Sequence, residues 1–121
     1  MSMDFSEILK DGGTEDKIRV RSVCGTDGIV VWSVRGEVVR DDLDVDFAIG
    51  GHGYNHDYIP EDEVWIERSM SRRDFALAAA HEAAELLLMR RGVGHDEAHE
   101  MAAGIERRLR TRDGEITCMD R

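Results

Sequence analysis

The sequence is short of the features that mark a secreted or membrane protein. Its longest uninterrupted apolar run, Phe75–Ala80, falls far below the roughly 20 residues that cross a bilayer. The start, Met1-Ser2-Met3-Asp4-Phe5-Ser6-Glu7, has neither the basic segment nor the apolar segment of a secretory signal. Only two cysteines occur, Cys24 and Cys118, with no CxxC spacing, and free thiols in a reducing cytosol are the natural expectation. A cytoplasmic location without membrane contact is the expectation. Basic residues are also scarce: 16 Lys and Arg face 26 Asp and Glu, a net charge of −10. Direct nucleic-acid binding, which runs on clustered cations, is therefore not expected.

The acidity is local. Between Asp41 and Glu67 lie nine acids and no Lys or Arg, so that window carries −9 and the rest of the chain only −1. The acids Asp41, Asp42, Asp44, Asp46, Asp57, Glu61, Asp62 and Glu63 are candidates for a surface that meets a basic protein partner. They also suit a plain solvated face. The composition, 41% hydrophobic and 35% charged, is that of a folded domain and not of a disordered acidic tail.

No internal repeat or linker interrupts the chain, and 121 residues suffice for one core. The expected fold is α+β: a small, mainly antiparallel sheet followed by a C-terminal helical hairpin. One domain spans residues 1–121, with a short helix and β-rich part to residue 69, the hairpin over 70–112 and a tail over 113–121. Asp4–Lys10 reads as the short helix, stopped by Gly12-Gly13. Ile18–Val23 alternates like a half-buried strand, and Ile29–Val34 is β-branched and apolar. Glu37–Arg40 follows so closely that a hairpin through Arg35-Gly36 is expected. Val45–Ile49 reads as a further short strand, and Gly50–Asp57 as a glycine-rich loop carrying His52 and His56. Val64–Glu67, acidic on its flanks, fits a strand at the sheet edge. Ser69 or Ser71 caps a helix to about Arg91, stopped by Gly92 and Gly94. Asp96 caps a second helix to about Arg112, with Ala98, Met101, Ala102, Ile105 and Leu109 as its apolar stripe. His95 is placed ahead of that helix, in solvent.

The first of these helices holds the strongest chemical signal. From Phe75 to Met89 twelve of fifteen residues are apolar, and the exceptions are His81, Glu82 and Glu85. At about 100° per residue all three fall within roughly a quarter of the circumference. That stretch has no Lys or Arg, so carboxylates buried there call for a cation from elsewhere. His81 and Glu85, at i and i+4, can hold one ion together. Glu82, displaced to the side, is placed to act on water bound to that ion. His99 on the next helix is the best third ligand, with Glu106 as a fourth ligand or as the partner that fixes a histidine tautomer. The bland alternative is an ionic network closed by Arg72, Arg73, Arg107 or Arg108.

His81-Glu82-Ala83-Ala84-Glu85 resembles the HExxH helix of the zincin metallopeptidases, with Glu85 in place of the second histidine. The resemblance implies His81 as a ligand, Glu82 as general base and a downstream helix ligand such as His99. It also implies an edge strand before the helix that receives an extended peptide, here Val64–Glu67. Residues 50–106 also resemble small bacterial and phage proteins with a Gly-Gly-His loop and a His-Glu-x-x-Glu helix, a likeness that names no activity. The His/Glu/His set suits zinc foremost, and manganese or iron as well. Two functions follow as expectations. One is a small metal-dependent hydrolase, peptidase-like, or a degenerate metal-binding relative. The other is an acidic, non-enzymatic inhibitor of the phage anti-CRISPR kind, whose acids imitate nucleic acid.

Overall fold

The computed structural model describes residues 17–112, and the expected helix Asp4–Lys10, the tail 113–121 and Cys118 lie outside them. The architecture is α+β. Strands β1 (Arg19–Thr26) and β2 (Ile29–Val34) precede helix α1 (Gly36–Asp42), and β3 (Gly50–His52) and β4 (Glu63–Glu67) follow it. Two helices, α2 (Arg72–Arg90) and α3 (His95–Arg110), complete the chain. The sheet order is β1-β2-β4-β3. β1/β2 and β3/β4 are antiparallel, whereas β2 and β4 run parallel, with Trp32 beside Trp65.

β4 is therefore an inner strand, not the expected edge. Its Val-Trp-Ile core explains why. Trp65 packs on one face with Ile18, Val34, Val39, Phe47 and Ile59. Val64 and Ile66 pack on the other face with Ile29, Val31, Ala79 and Leu86. A strand apolar on both faces belongs inside a sheet covered on both sides. The acidic flank that suggested an edge is neutralised from a distance. Glu63 is buried and accepts from Arg19 Nε and Nη2 on β1, at 3.1 and 2.8 Å, and from Trp65 Nε1 at 2.9 Å. The Arg19 guanidinium in turn lies 5.4 and 5.5 Å from the Trp32 and Trp65 ring centres.

Two further expectations are corrected. Glu37–Arg40 forms α1 and not a hairpin strand, because both edges of β2 are already taken by β1 and β4. The chain has to turn away from β2 to return parallel to it, and as a helix it buries Val39 in the first core cluster. Val45–Ile49 is not a strand. Asp44 Oδ1 accepts from Asp46 N–H at 2.9 Å, and Phe47 N–H bonds the Asp44 carbonyl at 3.0 Å, a side-chain-stabilised turn. The β1/β2 hairpin instead closes through Asp27-Gly28, a two-residue connection signalled by that dipeptide.

The helical hairpin matches its expectation more closely. Ser71 caps α2, accepting from Asp74 N–H at 3.1 Å. Gly92, at φ 95°, takes the left-handed conformation that ends α2 and lets α3 fold back. α3 starts at His95 behind Gly94, so Asp96 sits in its first turn, favourable to the helix dipole, and is not its cap. Ala98 and Ala102 are buried against α2, but Met101 of the expected stripe is 47% exposed. Among the described residues no helix is long and apolar enough to cross a membrane.

Candidate metal centre

The site forms where α2, α3 and β3 meet. α2 presents His81, Glu82 and Glu85. Glu85 is 2% exposed although it is charged. Its Oε2 lies 2.9 Å from His99 Nδ1 and 3.7 Å from His81 Nε2, and those two nitrogens are 3.3 Å apart. The three atoms make a triangle with edges averaging about 3.3 Å, the edge of a tetrahedron whose corners lie about 2.05 Å from its centre. Helix α3 folded back on α2 thus brings His99 to His81, as expected.

Hydrogen bonds select which atoms face the triangle. His81 Nδ1 donates to Glu106 Oε1 at 3.0 Å, which leaves the Nε2 lone pair pointing inward. Glu106 is itself held by Arg110 Nη2, at 2.6 Å on its other oxygen. Of the two roles considered for Glu106, the geometry matches the tautomer-fixing partner and not a fourth ligand. This is the outer-shell support that ligating histidines commonly have.

His52 is the residue that sequence reasoning undervalued. Gly50–His52 is strand β3 and not loop, antiparallel to β4, and it carries the His52 ring under α2 with no exposure. A Cβ at Gly51 would run into the His56 ring, which would have to shift to admit a larger residue. Tyr54 N–H donates to His52 Nδ1 at 3.1 Å, so Nε2 carries the proton and donates to Glu85 Oε1 at 2.6 Å. Asn55 Nδ2 adds a 3.3 Å bond to the same oxygen. His52, Glu82 and Glu85 also lie close enough together to hold an ion. The tautomer makes His52 a donor to Glu85 and sets it apart from the His81, Glu85 and His99 group.

Electrostatics separate the two glutamates of the motif. Burial raises the Glu85 pKa, but donation from His52 and His99 outweighs it and brings the group down to about 2. Burial, then the neighbouring charges of Glu85 and Glu106, push Glu82 up to about 8. Glu82 Oε1 is buried and has no hydrogen-bond partner. A cleft of about 420 Å³ opens beside it, lined by Ile49, Met70 and Ala78 together with His81, Glu106 and Arg110.

The partners described for the cluster's carboxylates are mostly histidines, with Arg110 at its rim. Glu85 is surrounded by His52, Asn55, His81, His95 and His99, and Glu106 is paired to Arg110. His95 is exposed, as expected, but it lies in the helix and not ahead of it. It opens α3, and its Nε2 lies 3.7 Å from Glu85 Oε1. The His95/His99 spacing of i, i+4, the same as His81/Glu85, was the signal available in the sequence.

The chain matches no known family model, and no curated protein or solved structure matches it.

The acidic window divides in the structure. Asp41, Asp42, Asp46, Asp57, Glu61 and Asp62 are exposed. Asp44 is half-buried, accepting from Tyr58 Oη at 2.9 Å. Glu63 is an internal ion-pair partner of Arg19, so its place in a partner-binding surface is withdrawn.

Proposed function

We propose that this chain is a zincin-like, metal-dependent hydrolase in which His81 Nε2, Glu85 Oε2 and His99 Nδ1 hold one divalent cation, zinc foremost. The observation that carries the reading is the triangle of those atoms, closed by two hydrogen-bonded supports, Glu106 on His81 and His52 on Glu85. An ionised carboxylate and two imidazole nitrogens, of which His99 Nδ1 would give up to solvent the proton it now shares with Glu85, are a donor set that fits zinc. A bound ion of this kind acts as a Lewis acid and lowers the pKa of water to about 7.

The chain's own groups supply the rest. Glu82 keeps its proton up to about pH 8 in the metal-free chain; with a cation's charge offsetting the neighbouring carboxylates it would ionise and be suited to accept a proton from water at its buried Oε1 and return it to a leaving group. His52 and Asn55 hold the Glu85 carboxylate so that Oε2 stays turned to the histidines. The cleft gives an apolar wall of Ile49, Met70 and Ala78 for the substrate beside Glu82. Hydrolysis of an amide is the nearest reaction class. Pairing of an extended peptide along β4 is not part of the reading, since β2 and β3 occupy both its edges. β3, on the outside, has its His52 N–H taken by Asn55 Oδ1 at 3.1 Å.

Metal analysis of purified protein tests the reading. One zinc per chain is expected, lost in His81→Ala and Glu85→Gln. Glu82→Gln is expected to keep the metal while losing activity on small N-acyl amides. Wild-type protein with no stoichiometric metal after zinc loading, and no destabilisation by chelator, overturns it.

A second reading is favoured by one observation. Leu43, Val45 and Ile49 are exposed, Val45 at 77%, among the exposed acids Asp41, Asp42 and Asp46. That mixed surface suits a basic protein partner whose binding weakens with salt. Charge reversal at Asp42 and Asp46 without effect on such binding counts against it.

A further inference from the structure

His95 has no role in the three-atom site, yet its placement is unusual for a surface residue. It is the first residue of α3, one helical turn before His99, and the two rings stack with centres 6.2 Å apart. Its Nε2 is 3.7 Å from Glu85 Oε1, and its Nδ1 is 3.6 Å from Asp96 Oδ1. Neither is a hydrogen-bond distance. The side chain is half exposed, so little packing opposes its rotation.

α2 and α3 thus face each other with one i, i+4 pair apiece: His81 and Glu85 opposite His95 and His99. Two such pairs across a helix hairpin supply four donors, the number a tetrahedral zinc site takes. Three of those donors already converge, and the fourth hangs at the solvent side on the turn that follows the Gly92 reversal. Tetrahedral zinc with four protein ligands is closed to water, whereas a site with three is open.

We infer that His95 is a displaceable fourth ligand, which closes the coordination of the ion held by His81, Glu85 and His99 until water or substrate takes its place. The inference rests on the metal reading above and adds a regulation to it. With His95 on the ion the site is shut and Glu82 has no water to act on. With His95 swung out, the position beside the cleft is open. The exposure of His95 makes the swing possible without disturbing the core. The absence of a hydrogen bond to its ring means that no outer-shell partner locks it in place, in contrast to His81.

Zinc affinity measured by chelator competition tests this on wild type, His95→Ala and His99→Ala. His95→Ala removes a half-exposed ring and is expected to keep the apo melting temperature of wild type. Its zinc affinity is expected to fall by at least the order of 10-fold that losing even an outer-shell partner costs. Added free imidazole is expected to restore that affinity in His95→Ala, because it can occupy the vacated position, and to do nothing for wild type. Nitrogen-15 spectra of the imidazoles during zinc titration should show three histidines coordinating in wild type: His81, His95 and His99. Zinc affinity unchanged in His95→Ala, with only two histidines shifting, overturns the inference and leaves the three-ligand site standing. Loss of affinity without imidazole rescue overturns it too, as that is the mark of a structural effect. Failure of wild type to bind zinc overturns the metal reading and this inference with it.

Discussion

Glu82 offers the sharpest test of the site's electrostatics, in the metal-free protein. Its carboxyl is held up to about 8 by burial and by Glu85 and Glu106, against 4.5 for an ordinary glutamate. Between those values the folded chain keeps a proton that the unfolded chain has lost. Stability linked to Glu82 is therefore fully present below about pH 4.5 and is lost as pH rises towards 8. At about 1.4 kcal/mol per pKa unit, the loss reaches roughly 3 kcal/mol by pH 7, a large part of the 5–15 kcal/mol that holds a typical domain together. Glu82→Gln replaces the carboxyl with a neutral group of the same shape and removes the titration. The variant is expected to match wild type near pH 5 and to exceed it by about 3 kcal/mol near pH 7. Urea unfolding in the presence of chelator measures this. The range stays above pH 4.5 because Glu85, lowered to about 2, loses its own contribution as pH falls from about 4.5 to 2. A constant difference between variant and wild type at pH 5 and pH 7 would show that Glu82 ionises normally, and the buried-acid argument would fail. Zinc is expected to lower the Glu82 pKa and so shrink the difference between variant and wild type near pH 7, since the ion's charge offsets the neighbouring carboxylate.

Two further outcomes are expected. Glu106→Gln keeps the size of the side chain but weakens the acceptor that fixes the His81 tautomer. Zinc affinity should fall about 10- to 100-fold with the apo fold intact, as chelator competition would read, and an unchanged affinity would remove Glu106 from the site. Glu63→Gln removes the carboxylate charge that the buried Arg19 guanidinium faces beside Trp32 and Trp65. Denaturation should show a loss on the order of 3 kcal/mol, and a loss below about 0.5 kcal/mol would mean that the pair is solvated.

How far the sequence could be read depended on whether a feature was local. The strands β1, β2 and β4 and the helices α2 and α3 showed in their own periodicity, because each buries a face whose pattern repeats at short range. The motif His81, Glu82, Glu85 was legible for the same reason, since one helix carries all three. Val38-Val39 misled because β-branched residues favour strands locally, while β2 had no free edge left to pair with. Val64–Glu67 was misplaced through its acidic flanks, whose neutralising cation, Arg19, lies 44 residues from Glu63 in sequence. His52 was undervalued because glycines usually announce turns, whereas here Gly50 lies close against β4 and Gly51 against the His56 ring within a short strand.

The sequence by itself determined the α+β class, the helical hairpin and the gathering of polar groups on one side of α2. These depend on contacts a few residues apart, and spacing alone specifies them. Only the tertiary structure decided that β4 lies inside the sheet and that Glu63 is an internal ion pair. It also decided that His52, from a strand 33 residues before Glu85, donates to that carboxylate. Which side of a histidine ring faces an ion, and whether an acid is paired or bare, depends on partners brought from distant segments. Burial raises the pKa of both Glu82 and Glu85, and the histidine donors that reach only Glu85 are why these two acids, three residues apart on one helix, differ so widely.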